Sequence, residues 1–407
     1  MAVIDSAGST AVTETRQKGT CMHRKLLVAG FATAALVLAG CTSDSGDSAE
    51  STAQETAAAE ETTEEQVEES EGGDDAAAED AGSGVTTDDS NCAAEENYCV
   101  GLVTDTGKVD DKSFNQAAWE GTQLAAEQVG GFAKFIETTD PKDYANNIAQ
   151  FAQADYDTIV TVGFLMAEAS IAAAAEYPDI DFVGVDQFQG ETIPNLTGLV
   201  FNEDRAGYAA GFLAGLMTET NQVGAVLGTD TVPPVKLFGE GYKVGAQAAN
   251  PDVDVTLVYH EPNNAFTDPE WGAAESRKQL DQGIDVIFAA GGQTGNGGLI
   301  EIAKDPGAGE SVFCIGVDID QYFTVPQAAP CLLTSAEKKL VEGTEELVLL
   351  SYDGAFPGGN FFGPTGLAPY HDTEGAVPDD VKAQIDEVLA GLVDGTIETG
   401  GDALLEN

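Results

Sequence analysis

Basic side chains are scarce in this sequence: 17 Lys and Arg stand against 70 Asp and Glu in 407 residues, a formal net charge of −53. A surface that acidic repels nucleic acid, anionic headgroups and phosphorylated ligands, and it favours neutral or cationic ones. The excess is not confined to one segment, since residues 92–407 alone carry 51 acidic and 13 basic side chains. Such a domain is best accommodated where salt screens its self-repulsion. Histidine is rarer still. Of three in the chain, His260 and His371 lie beyond the N-terminal region, and neither has a neighbouring ligand at metal-like spacing. No Cys-x-x-Cys, no Gly-x-Ser-x-Gly elbow and no phosphate loop ending in Gly-Lys-Ser/Thr occurs. The sequence therefore points to no metal, no cofactor and no nucleophile–base pair, and an enzyme is the weaker reading. A nucleoside- or sugar-processing α/β enzyme is its form from another class.

What is present begins with an address. His23, Arg24 and Lys25 precede an apolar run at residues 26–38, which is too short to cross a bilayer but fits a signal-peptide core. It ends in Leu38, Ala39, Gly40 and Cys41. This resembles the lipobox of bacterial lipoproteins, in which the cysteine is diacylated and becomes the mature N-terminus. Two acyl chains suffice for stable anchoring at the outer face of a cell membrane. Residues 22–40 are thus expected to be a signal peptide, with Met22 as the start and residues 1–21 outside the scheme. Residues 42–91 follow with 17 acidic residues and no Lys or Arg. That stretch cannot bury enough apolar surface to offset its ordering entropy, so residues 41–91 are expected to be an extended tether.

With Cys21 and Cys41 set aside, Cys92, Cys99, Cys314 and Cys331 remain. Four cysteines permit three pairings, and an exported chain favours disulfides. The expected pairs are Cys92 with Cys99 at the domain entrance, and Cys314 with Cys331 across neighbouring strands.

From residue 98 the chain alternates strand and helix. Apolar strands are expected at residues 100–104, 158–162, 180–185, 223–227, 253–259, 284–289 and 312–317. Helices are expected at 113–129, capped by Ser113 and stopped at Gly130, and at 143–154, 166–176, 203–218 and 269–282. Uninterrupted apolar strands separated by helices imply parallel sheets covered on both faces. The length favours two doubly wound lobes with a ligand site at the strands' carboxyl ends. Residues 92–220 with 335–355 are assigned to the first lobe, and 221–334 with 356–407 to the second. Crossovers are placed near 220, near 333–335 and within 356–369.

Three strand ends carry recognition chemistry. Residues 103–116 set Asp105, Phe114 and Asn115 around the first strand-to-helix turn, a combination suited to a planar heterocycle. Residues 289–298 form a glycine-rich helix start that includes Gly292, without a cation for phosphate. Asp318 ends another strand, and Lys338 lies downstream to grip vicinal hydroxyls with it. Residues 184–187, with Asp186, echo residues 316–318.

The segments VTDTGKVDDKSFNQAAWEG, VGVDQ, AAGGQTGNG, IGVDIDQ and TSAEKK, in this order, resemble the basic membrane lipoprotein family of ABC-importer binding proteins. The resemblance implies a type I periplasmic-binding-protein fold, two Rossmann-like lobes joined by three crossovers and closing on a nucleoside. It also implies an ABC permease and ATPase as partners. Carried over by position, Asp105 and Asn115 bond the base, and Phe114 and Phe238 flank it. Asp186, Gly292, Asp318 and Lys338 then lie at the sugar. Riboflavin or another ring-bearing metabolite is the alternative ligand.

Overall fold

The computed structural model describes residues 91–406 apart from Glu95. The expected signal segment, Cys41 and the acidic stretch through Ser90 lie outside the described residues. Both expected disulfides are present, with Cα–Cα separations of 5.7 Å for Cys92–Cys99 and 5.2 Å for Cys314–Cys331.

In chain order the elements begin with β1 (Cys99–Thr106), α1 (Phe114–Val129), β2 (Phe132–Thr138) and α2 (Tyr144–Ala152). They continue through β3 (Thr158–Val162), α3 (Ala167–Glu176), β4 (Asp181–Val185), β5 (Leu196–Val200) and α4 (Glu203–Met217). Next come β6 (Gln222–Leu227), α5 (Pro233–Ala249), β7 (Asp254–Tyr259), α6 (Pro269–Asp281) and β8 (Val286–Ala290). Then follow α7 (Gly292–Ile302), β9 (Phe313–Asp318), α8 (Gln321–Thr324), β10 (Leu332–Lys338) and α9 (Leu340–Tyr352). The chain closes with β11 (Gly359–Phe362), β12 (Thr365–Leu367) and α10 (Asp379–Asp394).

The strands form two six-stranded sheets, ordered β2-β1-β3-β4-β5-β11 and β7-β6-β8-β9-β10-β12. The two orders correspond position by position. Every pair is parallel except β10 with β12. β3, β5 and β8 are buried along their whole length, as expected of strands covered on both faces.

The lobes divide differently from the sequence expectation, for packing reasons. Helix α4, assigned to the first lobe, belongs to the second. Its Ala206, Ala210, Leu213 and Ala214 share a core with Val223, Ala225, Phe238 and Phe288. A glycine stripe fixes it there, because a Cβ on Gly211 would lie 1.8 Å from the Tyr242 carbonyl oxygen of α5. The first crossover therefore falls at Phe201 and Asn202. The boundary at 334–335 falls inside β10, whose seven residues are all buried. The chain crosses at Lys339, and Leu340, Leu347 and Val348 join the first lobe's core with Val100 and Leu102. Strand β11, assigned to the second lobe, pairs with β5 in the first sheet, and Phe361 packs on that core. The third crossing follows at Gly363 and Pro364. The three crossings touch: Gly363 N–H donates to the Val200 carbonyl at 2.9 Å, and Lys339 N–H to that of Pro364 at 3.0 Å.

Candidate functional site

The carboxyl ends of β1, β3 and β4 face those of β8, β9 and β10 across a cleft. Asp105, Phe114, Asn115 and Asp186 line it from the first lobe, and Phe238, Gly292, Asp318 and Lys338 from the second. The structure thus brings together all eight residues singled out by sequence. The enclosed cavity of about 90 Å³ is several times the space one water needs.

One end is charged. Lys338 is 3% exposed. Its Nζ lies 2.6 Å from Asp186, 3.4 Å from Glu203 and 3.9 Å from Asp318. The Asp318–Lys338 grip expected from sequence is therefore the longest of three pairs, because Asp186 reaches across from β4. Burial pushes the Lys338 ammonium down, but Asp186, Glu203 and Asp318 together override it and hold the group above its usual range. Burial raises Asp186 and Asp318 above the ordinary carboxylate range, while Lys338 opposes this. Burial pushes Glu203 up to about 8. The rings of Phe114, Phe201 and Phe238 surround the ammonium at 4.7, 5.5 and 5.6 Å. Phe238 also packs on Phe288 at 6.0 Å, so it serves core and cleft together.

Asp186 and Asp318 occupy equivalent strand ends and share a left-handed backbone, with φ of 59° and 67°. Backbone of this kind is sparsely populated by non-glycine residues and concentrates at functional sites. Beneath each lies a buried glutamine. Gln187 donates to the Thr161 and Gly163 carbonyls, both at 3.0 Å, and the Gln321 side-chain oxygen accepts from Val317 N–H at 2.9 Å. The sequence echo between residues 184–187 and 316–321 is thus a repeated device that turns a carboxylate into the cleft.

The other end is built from β1 and the first turn of α1. Asp105 accepts from Tyr144 O–H and Thr106 N–H through Oδ1. Burial raises the Asp105 carboxyl, against the pull of those donors. Ser113 does not cap α1 as expected. Its hydroxyl donates to Asp318 across the cleft at 2.6 Å, and Asp111 caps the helix instead. The Asp111 carboxylate accepts N–H from Ser113, Asn115 and Gln116 at 3.0, 2.9 and 3.1 Å. Burial pushes Asp111 up to about 7, opposed by those three donors. The backbone here also joins the lobes: Asn296 donates to the Asp111 carbonyl at 2.7 Å and Thr324 to that of Lys112 at 2.8 Å.

Sequence reasoning missed Asp111, Tyr144, Phe201, Glu203 and Phe266. Asp111 stands inside a motif that was noticed, and an acidic residue ahead of a helix start is a usable capping signal. Glu203 reads as an ordinary acidic first-turn residue.

Residues 99–362 match the family described as "Bmp: ABC transporter substrate-binding protein PnrA-like". The chain belongs to the Bmp family. A Listeria monocytogenes protein named "CD4+ T-cell-stimulating antigen" is 31% identical over 75% of this Bmp chain and 88% of its own length. The "ABC transporter nucleoside-binding protein BmpA" of Lactococcus lactis is 27% identical over 73% and 87%. Among solved structures, an ABC transporter solute-binding protein of Aeropyrum pernix matches with TM-score 0.66 and 24% identity. It covers 74% of this chain and 92% of its own. A second, from Conexibacter woesei, matches with TM-score 0.57, covering 74% and 98%. The fold is that of type I periplasmic binding proteins, and this Bmp chain is a solute-binding protein of an ABC transporter. Its partners are a small-molecule ligand and the transporter's permease and ATPase. Among the described residues, no helix is long and apolar enough to cross a membrane.

Proposed function

We propose that this protein captures a neutral nucleoside between its lobes, tethered to the outer face of the cell membrane through a diacylated Cys41. The observation that carries the ligand class is the charge of the cleft. Lys338 is the one cation among its described lining residues, and three carboxylates within 4 Å already offset it. A phosphate entering there would meet excess negative charge in a water-poor space. A sugar diol fits better. Two ammonium N–H groups go to Asp186 and Glu203, which leaves a third to donate. Asp186 Oδ1 is buried and without a partner among the described residues, and so is ready to accept. In this reading Phe114 and Phe238 flank the ring. Stacking contributes about 0.5–1.5 kcal/mol per pair, short of the roughly −8 kcal/mol that micromolar capture requires. The sugar contacts supply the remainder. The nucleoside-binding name of the Lactococcus relative supports this reading.

Calorimetric titration with adenosine, guanosine, cytidine and their 5′-monophosphates tests the ligand class. Nucleosides should bind with one site and micromolar or tighter affinity, and the monophosphates at least about tenfold more weakly. Equal or tighter binding of the monophosphates would sink the proposal. For the anchor, Cys41→Ala should move the protein from the membrane to the soluble fraction; unchanged membrane association rejects the diacyl assignment.

A further inference from the structure

Hydrogen-bond polarity at the end of the cleft away from Lys338 carries the proposed function one step further. Asn115 is 7% exposed and lines the cleft. Its Nδ2 lies 3.2 Å from the carbonyl oxygen of Lys108. A carbonyl oxygen accepts and never donates, so this contact fixes which way round the amide sits. The consequence is that Oδ1 is the free end. It is buried and has no partner among the described residues.

Asp105, its neighbour across the turn, presents oxygen as well. The donors beside it are already committed: Tyr144 O–H and Thr106 N–H both point at Asp105 Oδ1. The other oxygen, Oδ2, lies against Gly163, where a Cβ would come within 2.8 Å of it. Gly163 has φ of 117° and contributes no side chain, so the carboxylate is not covered. Its N–H is spent on the Val185 carbonyl at 3.0 Å. Two side-chain acceptors therefore share one wall, and no side-chain donor of that wall is left over for a ligand.

We propose that this wall selects a heterocycle bearing an exocyclic amino group and discriminates against its oxo counterpart. The inference rests on the nucleoside reading above. An amino group carries two N–H bonds, one for Asn115 Oδ1 and one for the Asp105 carboxylate. A ring carbonyl in its place sets lone pairs against lone pairs and leaves both buried acceptors unpaired. Mispairing of this kind, rather than lost contact area, is what gives a polar pocket its discrimination.

The test compares ligands that differ at that group, by calorimetry on the wild-type protein. Adenosine and guanosine should each bind about ten- to a hundredfold more tightly than inosine, and cytidine should outbind uridine by a similar factor. Asp105→Asn supplies the matching variant, since it replaces one acceptor oxygen by an amino group at nearly constant shape. The adenosine-to-inosine ratio should then collapse towards one or reverse, and an unchanged melting temperature shows that the fold is retained. Equal affinities for amino and oxo ligands in the wild type would overturn the inference while leaving the nucleoside reading intact. So would a ratio unchanged in a folded Asp105→Asn protein. Failure of every nucleoside to bind would overturn both.

Discussion

Lys338 is enclosed by Asp186, Glu203 and Asp318, three buried carboxyls around one ammonium. Three negative charges against one positive charge is a costly arrangement in a space this dry, and a retained proton relieves it. Glu203 is the member placed to hold that proton, because burial and the neighbouring Asp186 raise it from 4.5 to about 8. The unfolded chain releases this proton near its ordinary value, and the folded chain keeps it to higher pH. Stability from this group is therefore full at low pH and declines as pH rises between those two values. Glu203→Gln, neutral throughout, should melt like wild type near about pH 5 and lose less of its melting temperature by about pH 8. Parallel melting curves for the two proteins across that range would show that Glu203 is ionised in the folded state. Residues of this kind were the least legible in the sequence. Asp105, Asn115 and Asp318 sit at strand ends inside distinctive segments, whereas Glu203 and Tyr144 gain their roles from folding that brings distant segments together. The misread Ser113 teaches the same lesson: a serine at a helix start reads as a cap, and only the arrival of Asp318 from the other lobe explains where its hydroxyl points.

Elements were legible where periodicity alone decides them. The buried strands β3, β8 and β9 were plain as short apolar runs bounded by turns. Strand β2 was not, because this edge strand mixes buried and exposed residues without regular alternation. Helix α4 was found, but its lobe was not, since amphipathicity reveals a buried face without naming what covers it. The deciding signal was the spacing of Gly207, Gly211 and Gly215, which brings the α4 and α5 backbones together. This contact also positions Glu203 at the start of α4 and Phe238 on α5, so core packing and site geometry share one interface. Gly211→Ala gains about 1 kcal/mol of helix propensity but drives a methyl group into the Tyr242 carbonyl, an overpacking cost of about 1–3 kcal/mol or more. Clash should win. The variant should be destabilised in denaturant titration and bind nucleoside more weakly; unchanged stability would mean that the helices separate freely and that the stripe does not set the site.

On the scale of the whole molecule, the two sheets repeat one strand order, and each contributes a left-handed aspartate at the same topological position. The charge balance read from composition survives in the cleft, where acid outnumbers base as it does over the whole chain. Lobe boundaries were the weakest part of the sequence reading, because a chain that crosses three times leaves little mark where it changes sides. The central claim is that groups from both lobes close on one ligand through its hydroxyls. Titration calorimetry with adenosine on wild type and Asp318→Ala tests it most directly. Asp318 can be removed without stranding Lys338, which keeps Asp186 at 2.6 Å and Glu203 at 3.4 Å. The account predicts a folded variant whose affinity falls by about tenfold or more. Wild-type affinity in the folded variant would contradict it.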